Sequence, residues 1–430
     1  MTDITDLAHF IQTTPMVDTH EHLHKESDFV DRGPDILNSL FDWYIAADLI
    51  SAGATAAAVK RLADQSDPDL RGRFAGIRAA WEAVQFTGYG EGVRWVAQNF
   101  FGMDEITADG IEAAAPAALA MHRPGERLRI LRDVANLDHV QVDDFTVDVS
   151  VDASGPDFFR YDISWVNWAN GRVRAADVHA HSGIEPTDTH TLRAAFEAVF
   201  ARYGAQAVAV KTQHAYDRTL IWRARDEGEV EPTLQKSLRG ETLNEADALC
   251  LGDWCLGVAA EIAAQHRLPI KIHTGYYAGN NRMPMDRIHA SHLAPLLAAY
   301  PQTRFVLMHT AYPFGGEVVS LVKHYANTYA DMCWAWSIDP HTSEAFVRQF
   351  LHAAPANKLF IFGGDTGWPH AAAAYAWQAR GGLTRALQAE IDAGFLNEAQ
   401  AISLAQRWMR DNAYACFDLD LRNEGNVPGF

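Results

Sequence analysis

The chain has little cysteine for its size: four thiols in 430 residues, Cys250, Cys255, Cys333 and Cys416. None forms a C-x-x-C pair, and a chain this long buries enough apolar surface to fold without disulfide staples. A reduced, cytoplasmic protein is therefore expected. Positive charge is short as well: 36 Lys and Arg stand against 55 Asp and Glu, a formal net charge of −19. That balance argues against nucleic acid and anionic membrane as partners, because both need basic patches. It also means that an anionic substrate would depend on a few locally placed Arg or Lys. No apolar run approaches membrane-spanning length. The opening residues, MTDITDLAHFIQTTP, are acidic and lack the basic and apolar regions of a signal peptide. What is present is ordinary globular composition, 48% hydrophobic and 21% charged. The length is large for one domain but normal for a (β/α)8 barrel with insertions.

The pattern along the chain reads as one barrel domain over 1–430. Asp3 to Thr13 is expected to form a short amphipathic helix with Ile4, Leu7, Phe10 and Ile11 on one face, ended by Pro15. Met16-Val17 then opens a first strand. From Ile36 to His122 the sequence is helical and rich in Ala and aromatics (Trp43, Trp81, Phe86, Trp95, Phe100, Phe101), with no convincing strand. This segment, 36–122, reads as a helical insertion after the first strand. It either caps the barrel mouth or packs against the outer wall. Strands are expected in HVQVDDF, FFRYDISWV, AVAVKTQ, PIKIHTG, RFVLMHT, TYADMCW and LFIFGGD, with a helix from Thr189 to Tyr203 before the fourth and a polar excursion from Arg218 to Leu251. Short β-branched or aromatic runs alternating with helical sequence are the signature of βαβ units and a parallel sheet, here a TIM barrel. After Asp365 the sequence is helical to Phe417, followed by the loose tail RNEGNVPGF.

Several of these strands end in a metal-ligand side chain: His20 and His22 in VDTHEHL, His273 in LPIKIHTG, His309 in RFVLMHTAYP and Asp365 in KLFIFGGDTGWP, with Lys211 in AVAVKTQHAY placed the same way. Residues two apart on a strand face the same side, so His20 and His22 can share one ion. His24 stands beyond the strand end and is not expected to ligate. Each residue alone has a bland reading, a satisfied core histidine or, for Asp365, a cap on the helix after Trp368. Five such residues at the same end of four runs point instead to a divalent metal above the C-terminal rim, with one or two ions of zinc, manganese or iron. Lys211 has three readings: a carbamylated lysine bridging two metals, an ammonium binding a substrate carboxylate or polarising a carbonyl, or a partner of a neighbouring carboxylate.

The order H-x-H, Lys, His, His, Asp resembles the amidohydrolase superfamily. LPIKIHTGYYAGNN, FVLMHTAYPFGGEVVSLV, YADMCWAW and FIFGGDTGWP, with KTQHAYDRTL upstream, are similar to the amidohydrolase-related branch that contains the nodulin/FluG-type N-terminal domain. This similarity covers about the last half of the chain. VDTHEHL and FDWYIAADLISAG extend it, and the latter also resembles uronate isomerases. The resemblance implies that His20, His22 and Asp365 hold the principal metal. It implies too that His273 and His309 complete a second site or contact substrate, with Lys211 bridging if carbamylated. One block departs from the family pattern: GGDTGWP adds Trp368 and Pro369, which would reshape the pocket.

The chemistry expected is metal-assisted hydrolysis of an amide in a small, carboxylate-bearing substrate of γ-glutamyl or N-acyl type. Asp365 would carry the proton of the attacking water, and His309 or an unmodified Lys211 would stabilise the oxyanion. Tyr276, Tyr277, Asn280, Asn281 and Arg282 follow the fifth strand, and Tyr216 and Arg218 the fourth, so all lie on the catalytic rim. Arg218 and Arg282 would supply positive charge to a substrate or sit in ion pairs of their own. Trp334, Trp336 and Trp368 would wall an apolar pocket or be buried in helix packing. The alternatives are decarboxylation or uronate-type isomerisation on the same metal and, from another class, a barrel that has lost catalysis and only binds. A homo-oligomer is compatible with the apolar helices.

Overall fold

The computed structural model describes residues 5–423. Nine extended segments run parallel in two hydrogen-bonded sheets. They comprise β1 (Met16–Glu21), β2 (Leu137–Val142), β3 in two pieces (Phe159–Tyr161 and Ile163–Ser164), β4 (Val210–Thr212), β5 (Ile270–Ile272), β6 (Phe305–Leu307), β7 (Thr328–Asp331) and β8 (Leu359–Phe360). The break in β3 falls at Asp162. Its N–H still donates to Val142 of β2 at 2.8 Å, while the next N–H, Ile163, donates to Ala209 just before β4 at 2.9 Å. One strand thus bridges both sheets. The ring closes on the other side, where Thr19 N–H donates to Phe362 O at 3.1 Å and Asp365 N–H to His20 O at 3.0 Å. The expected (β/α)8 barrel is what the chain forms.

The strands are short and their residues almost wholly buried, because helices cover the outside and side chains fill the interior. The interior is unusually polar at its centre. Lys271 Nζ donates to Thr19 O at 2.7 Å and to both carboxylate oxygens of Asp162 at 2.9 and 3.1 Å. Burial still lifts the Asp162 carboxyl to about 6, outweighing the attraction of Lys271. Helix starts follow local chemistry. Asp188 and Thr191 form a capping box on Thr189–Tyr203, and Pro369 opens the long helix Pro369–Asp392. The first helix runs Asp6–Thr13 with the Thr5 hydroxyl accepting from Ala8 N–H. The earlier start at Asp3, and the tail beyond Asn423, lie outside the described residues.

Between β1 and β2 the chain is entirely helical among the described residues, from Glu26–Arg32 to Glu126–Arg129 with a wider-wound turn after it. Part of this segment packs on the rim that carries the strand C-termini. Asn280 Nδ2 donates to Ala47 O at 3.0 Å, and Trp368 Nε1 donates to Asp42 Oδ2 at 3.0 Å. Tyr44 meets Trp334 at the barrel mouth, whereas Trp43 meets Tyr375 and Trp95 stacks on Trp377, both on the helix Pro369–Asp392, and Phe86 is solvent-exposed. No helix among the described residues is long and apolar enough to cross a membrane.

His370, on the long helix, lies buried among Phe29, Phe100 and Phe101 with neither ring nitrogen hydrogen-bonded. Burial pushes it from 6.5 down to about 3. Between those values the unfolded chain binds a proton that the folded chain refuses, so stability is fully present above pH 6.5 and falls as pH drops, by up to about 1.4 kcal/mol per pH unit. His370→Phe removes that loss. Its acid-unfolding midpoint, followed by circular dichroism, is expected below that of the wild type, and an unchanged midpoint would refute the assignment.

Candidate metal centre

β1 delivers His20 and His22 to the same side, and the β8 extension delivers Asp365 beside them through the backbone bond from Asp365 N–H to His20 O. His20 Nε2 and His22 Nε2 lie 3.2 and 3.3 Å from Asp365 Oδ1 and 3.3 Å from each other. The other carboxylate oxygen, Oδ2, faces His309 Nε2 at 3.9 Å. His20 and His309 are fully buried, Asp365 nearly so, and only His22 reaches solvent, with 21% of its side chain exposed.

The protonation of the rings follows from their other nitrogens. His22 Nδ1 is 2.7 Å from Asp143 O and His309 Nδ1 is 3.0 Å from Cys333 O. A carbonyl only accepts, so both Nδ1 atoms carry the hydrogen and both Nε2 atoms are lone pairs. Those lone pairs converge on a carboxylate, which also only accepts. Burial, reinforced by the Lys211 ammonium, holds His20 well below the usual imidazole range, and burial brings His309 down to about 4 despite Asp365 nearby. Two imidazole lone pairs facing a carboxylate, with His20 Nε2 beside them, are a ligand set. The 3.2–3.3 Å spacing of the three atoms fits as well. Ligands about 2.0–2.1 Å from a tetrahedral ion stand about 3.3–3.4 Å apart. The residues present therefore fit a divalent metal. Cys333 Sγ, a ring nitrogen of His309 and an Asp365 oxygen also lie within 4.8 Å of one another.

The backbone is strained here. Asp365 (φ +57), His309 (+62), Thr310 (+52), Ala311 (+48) and Trp334 (+64) all occupy the left-handed region, which costs a non-glycine residue about 1–3 kcal/mol when held there. Gly275 (φ +74) sits against this run, and a Cβ there would lie 2.4 Å from Ala311 C. Beneath the site, the Asp18 and Glu21 carboxyls both lie completely buried. Desolvation lifts Asp18 to about 7 and also holds Glu21 well above the usual carboxylate range. One proton between two carboxyls is the physical reading.

The other sequence candidates fall in different places. His273 is buried beside His309, with ring centroids 4.3 Å apart, but its Nε2 is 2.9 Å from Tyr276 O and so carries the hydrogen, leaving Nδ1 as its lone pair. His309 has its one N–H committed to Cys333 and has none to offer an oxyanion, which corrects that part of its expected role. Lys211 Nζ is buried and donates to Gln213 Oε1 at 3.1 Å. Among the described residues no carboxylate lies within 4.0 Å of it, so the ion-pair reading of Lys211 falls away. Arg218 is not available to a substrate. It is buried, paired with Asp253, and donates to the carbonyls of Thr219, Ala169 and Ile221. Arg282 is exposed, its guanidinium 5.5 Å over the Tyr216 ring, which in turn packs on His273 at 4.7 Å. Tyr276 and His309 both lie against Trp334. Trp336 is buried with its N–H on Ile361 O, and Trp368 packs on His24.

Sequence reasoning missed four participants. Asp143 and Cys333 act through backbone carbonyls, for which no side-chain signal exists. Phe145, 56% exposed, stacks on His22 at 4.4 Å, and the aromatic after Asp143-Asp144 was its only trace. Tyr44, whose hydroxyl donates to Asp365 O at 2.5 Å, lies within FDWYIAADLISAG, the stretch singled out for its resemblance.

Residues 242–419 match the amidohydrolase family. The protein FluG of Emericella nidulans is 30% identical over 115 residues, which amount to 25% of this chain, and the chain spans 13% of FluG. The C-terminal part of the chain is thus similar to an amidohydrolase domain, in line with its motif blocks. Likeness of fold extends over nearly the whole chain. A glucuronate isomerase from Caulobacter crescentus matches with a TM-score of 0.81 and 16% identity, covering 99% of this chain and 95% of the other. A uronate isomerase from Thermotoga maritima matches with a TM-score of 0.79 and 13% identity, covering 96% and 98%. At such identities the likeness is one of fold.

Adding Zn2+ or Mn2+ to chelator-treated protein is expected to raise the melting temperature, because an ion at 100 times its Kd stabilises by about 2.7 kcal/mol. His22→Ala should lose that shift. An equal shift in the variant would place the ion elsewhere.

Proposed function

We propose that the protein is a metal-dependent hydrolase that cleaves the amide bond of a small, carboxylate-bearing substrate. The observation that carries this is the convergence of the unprotonated Nε2 atoms of His22 and His309 on the two oxygens of one buried carboxylate, with His20 alongside. His20, His22 and Asp365 would hold the principal ion, with His309 on the far oxygen. When bound, a divalent ion supplies Lewis acidity, polarising a carbonyl and acidifying water.

The remaining work falls to the chain itself. Asp365 Oδ1 lies among the imidazole pair as a candidate ligand, so Oδ2 is the atom that takes a proton from the attacking water and returns it to the leaving amine. Lys211 Nζ makes one hydrogen bond, to Gln213, which leaves N–H groups to offer the oxyanion if it stays an ammonium. Carbamylation would instead turn a buried, poorly compensated cation into a bridging ligand, which the cost of burying unpaired charge favours. Arg282, exposed above Tyr216, is the cation suited to a substrate carboxylate, and Tyr216 packs at a tilt on His273. Phe145, Tyr276 and Trp334 would wall the reacting group. Cys250, Cys255, Cys333 and Cys416 are all free thiols, which agrees with a reducing compartment.

The second reading is isomerisation of a uronate, favoured by the full-length likeness of fold to two uronate isomerases. Turnover of an N-acyl and γ-glutamyl amide panel in 18O-labelled water separates the two. Hydrolysis places the label in the product acid, whereas conversion of a uronate without solvent oxygen would overturn the hydrolase reading. Asp365→Asn is expected to lower kcat by at least about 10²–10⁴-fold with the fold retained; near-normal turnover would remove Asp365 as the proton carrier. Bicarbonate during metal loading should raise activity and add the mass of CO2 to Lys211. An unmodified lysine with no bicarbonate effect leaves the ammonium role.

A further inference from the structure

We propose that Glu21 and Tyr44 are positioning residues that fix the single pose of the Asp365 carboxylate, a role that rests on the metal-site reading above. Glu21 lies between the two histidines of the H-x-H strand, so its side chain points to the opposite face from theirs and is not a ligand. It turns instead toward the β8 extension, where Oε2 accepts from Thr366 N–H at 2.6 Å. Its seat exists because residue 364 is glycine: a Cβ there would lie 2.0 Å from Glu21 Oε1. On the other side of the same peptide, Tyr44 Oη donates to Asp365 O at 2.5 Å, and Asp365 N–H is held by His20 O at 3.0 Å. Asp18 adds a longer contact, accepting from Gly364 N–H at 3.4 Å.

The peptide groups around Asp365 are therefore tied from the strand bearing the ligands and from the helical segment between β1 and β2. Asp365 has φ +57, a conformation that an aspartate keeps only where its surroundings over-determine it. Loosening either tie would let the backbone relax and swing the carboxylate away from the imidazoles. Tyr44 thereby makes the helical segment, which contributes no ligand, part of the precision of the metal centre.

The test uses the full chain, stripped of metal and titrated with Co2+, whose visible absorption reports coordination geometry. Tyr44→Phe removes one oxygen. Its Co2+ dissociation constant is expected to rise about 10–100-fold with an altered visible band, while the metal-free melting temperature stays close to wild type. Glu21→Ala should do the same. Glu21→Gln, which keeps an oxygen for Thr366 N–H, should restore most of the affinity. A purely structural role would lower the melting temperature and leave the Co2+ spectrum of the folded fraction unchanged, which overturns the proposal. If Tyr44→Phe and Glu21→Ala both bind Co2+ indistinguishably from wild type, the proposal also fails while the metal reading stands. Failure of the wild type to bind Co2+ removes both. Should Glu21→Ala not fold, Tyr44→Phe decides alone.

Discussion

Acceptors that face acceptors in a buried place are the constraint on which this structure turns. Asp143 and Cys333 each take an imidazole N–H through a main-chain carbonyl, and so force the far nitrogens of His22 and His309 to present lone pairs to Asp365. Left alone, such a cluster costs several kcal/mol in desolvation and mutual repulsion. A cation at its centre reverses the sign of every one of those interactions. The carbonyls thus matter as much as the ligands, since the opposite tautomer would let each ring donate to the carboxylate and dissolve the site into ordinary hydrogen bonds.

Holding that geometry places demands on the barrel. Asp365, His309, Thr310, Ala311 and Trp334 are all non-glycine residues in the left-handed region, and all lie at the C-terminal ends of β6, β7 and β8. Strain is concentrated where the chemistry is and is offset by a closed, deeply buried ring of strands beneath it. The polar centre of the barrel belongs to the same scheme. Lys271 is the cation that grips Thr19 O, one residue before His20, and it satisfies Asp162 at the break in β3 that joins the two sheets. A hydrophobic core would pack there with less desolvation cost, but it would leave the β1 carbonyl without a partner.

The candidate ligands at the strand ends were legible because a buried strand tolerates few polar side chains. His20, His22, His309 and Asp365 stood out against LPIKI, RFVLM and KLFIF, and the same period-2 logic put both β1 histidines on one face. Arg218 and Arg282 were not separable from sequence, as both follow strand ends. One turned inward to Asp253, whereas the other remained at the surface over Tyr216. The sidedness of a loop depends on the packing of distant helices, here Glu245–Gln265, which carries Asp253. The contributions of Asp143 and Cys333 were invisible for a different reason. They are made by main-chain atoms that every residue possesses, and only three-dimensional register selects them. Glu21 lay in plain view inside VDTHEHL, but its partner Thr366 is distant in sequence, and nothing local announces that pairing.

The asymmetry of Asp365 also weighs between the two reactions open to such a site. Isomerisation moves a proton between adjacent carbons, and a base serving it must reach two positions in turn. Hydrolysis asks one oxygen to take a proton from water and return it to a leaving group bound at the same centre. With its own N–H and C=O and the following amide all engaged, Asp365 has little freedom to pivot. Oδ1 lies with the two imidazoles in the candidate ligand cluster, so a single oxygen in a single pose remains for proton transfer. A base so tightly fixed matches a reaction that uses one proton position, and this favours the attack of water over the migration of hydrogen along a carbon chain.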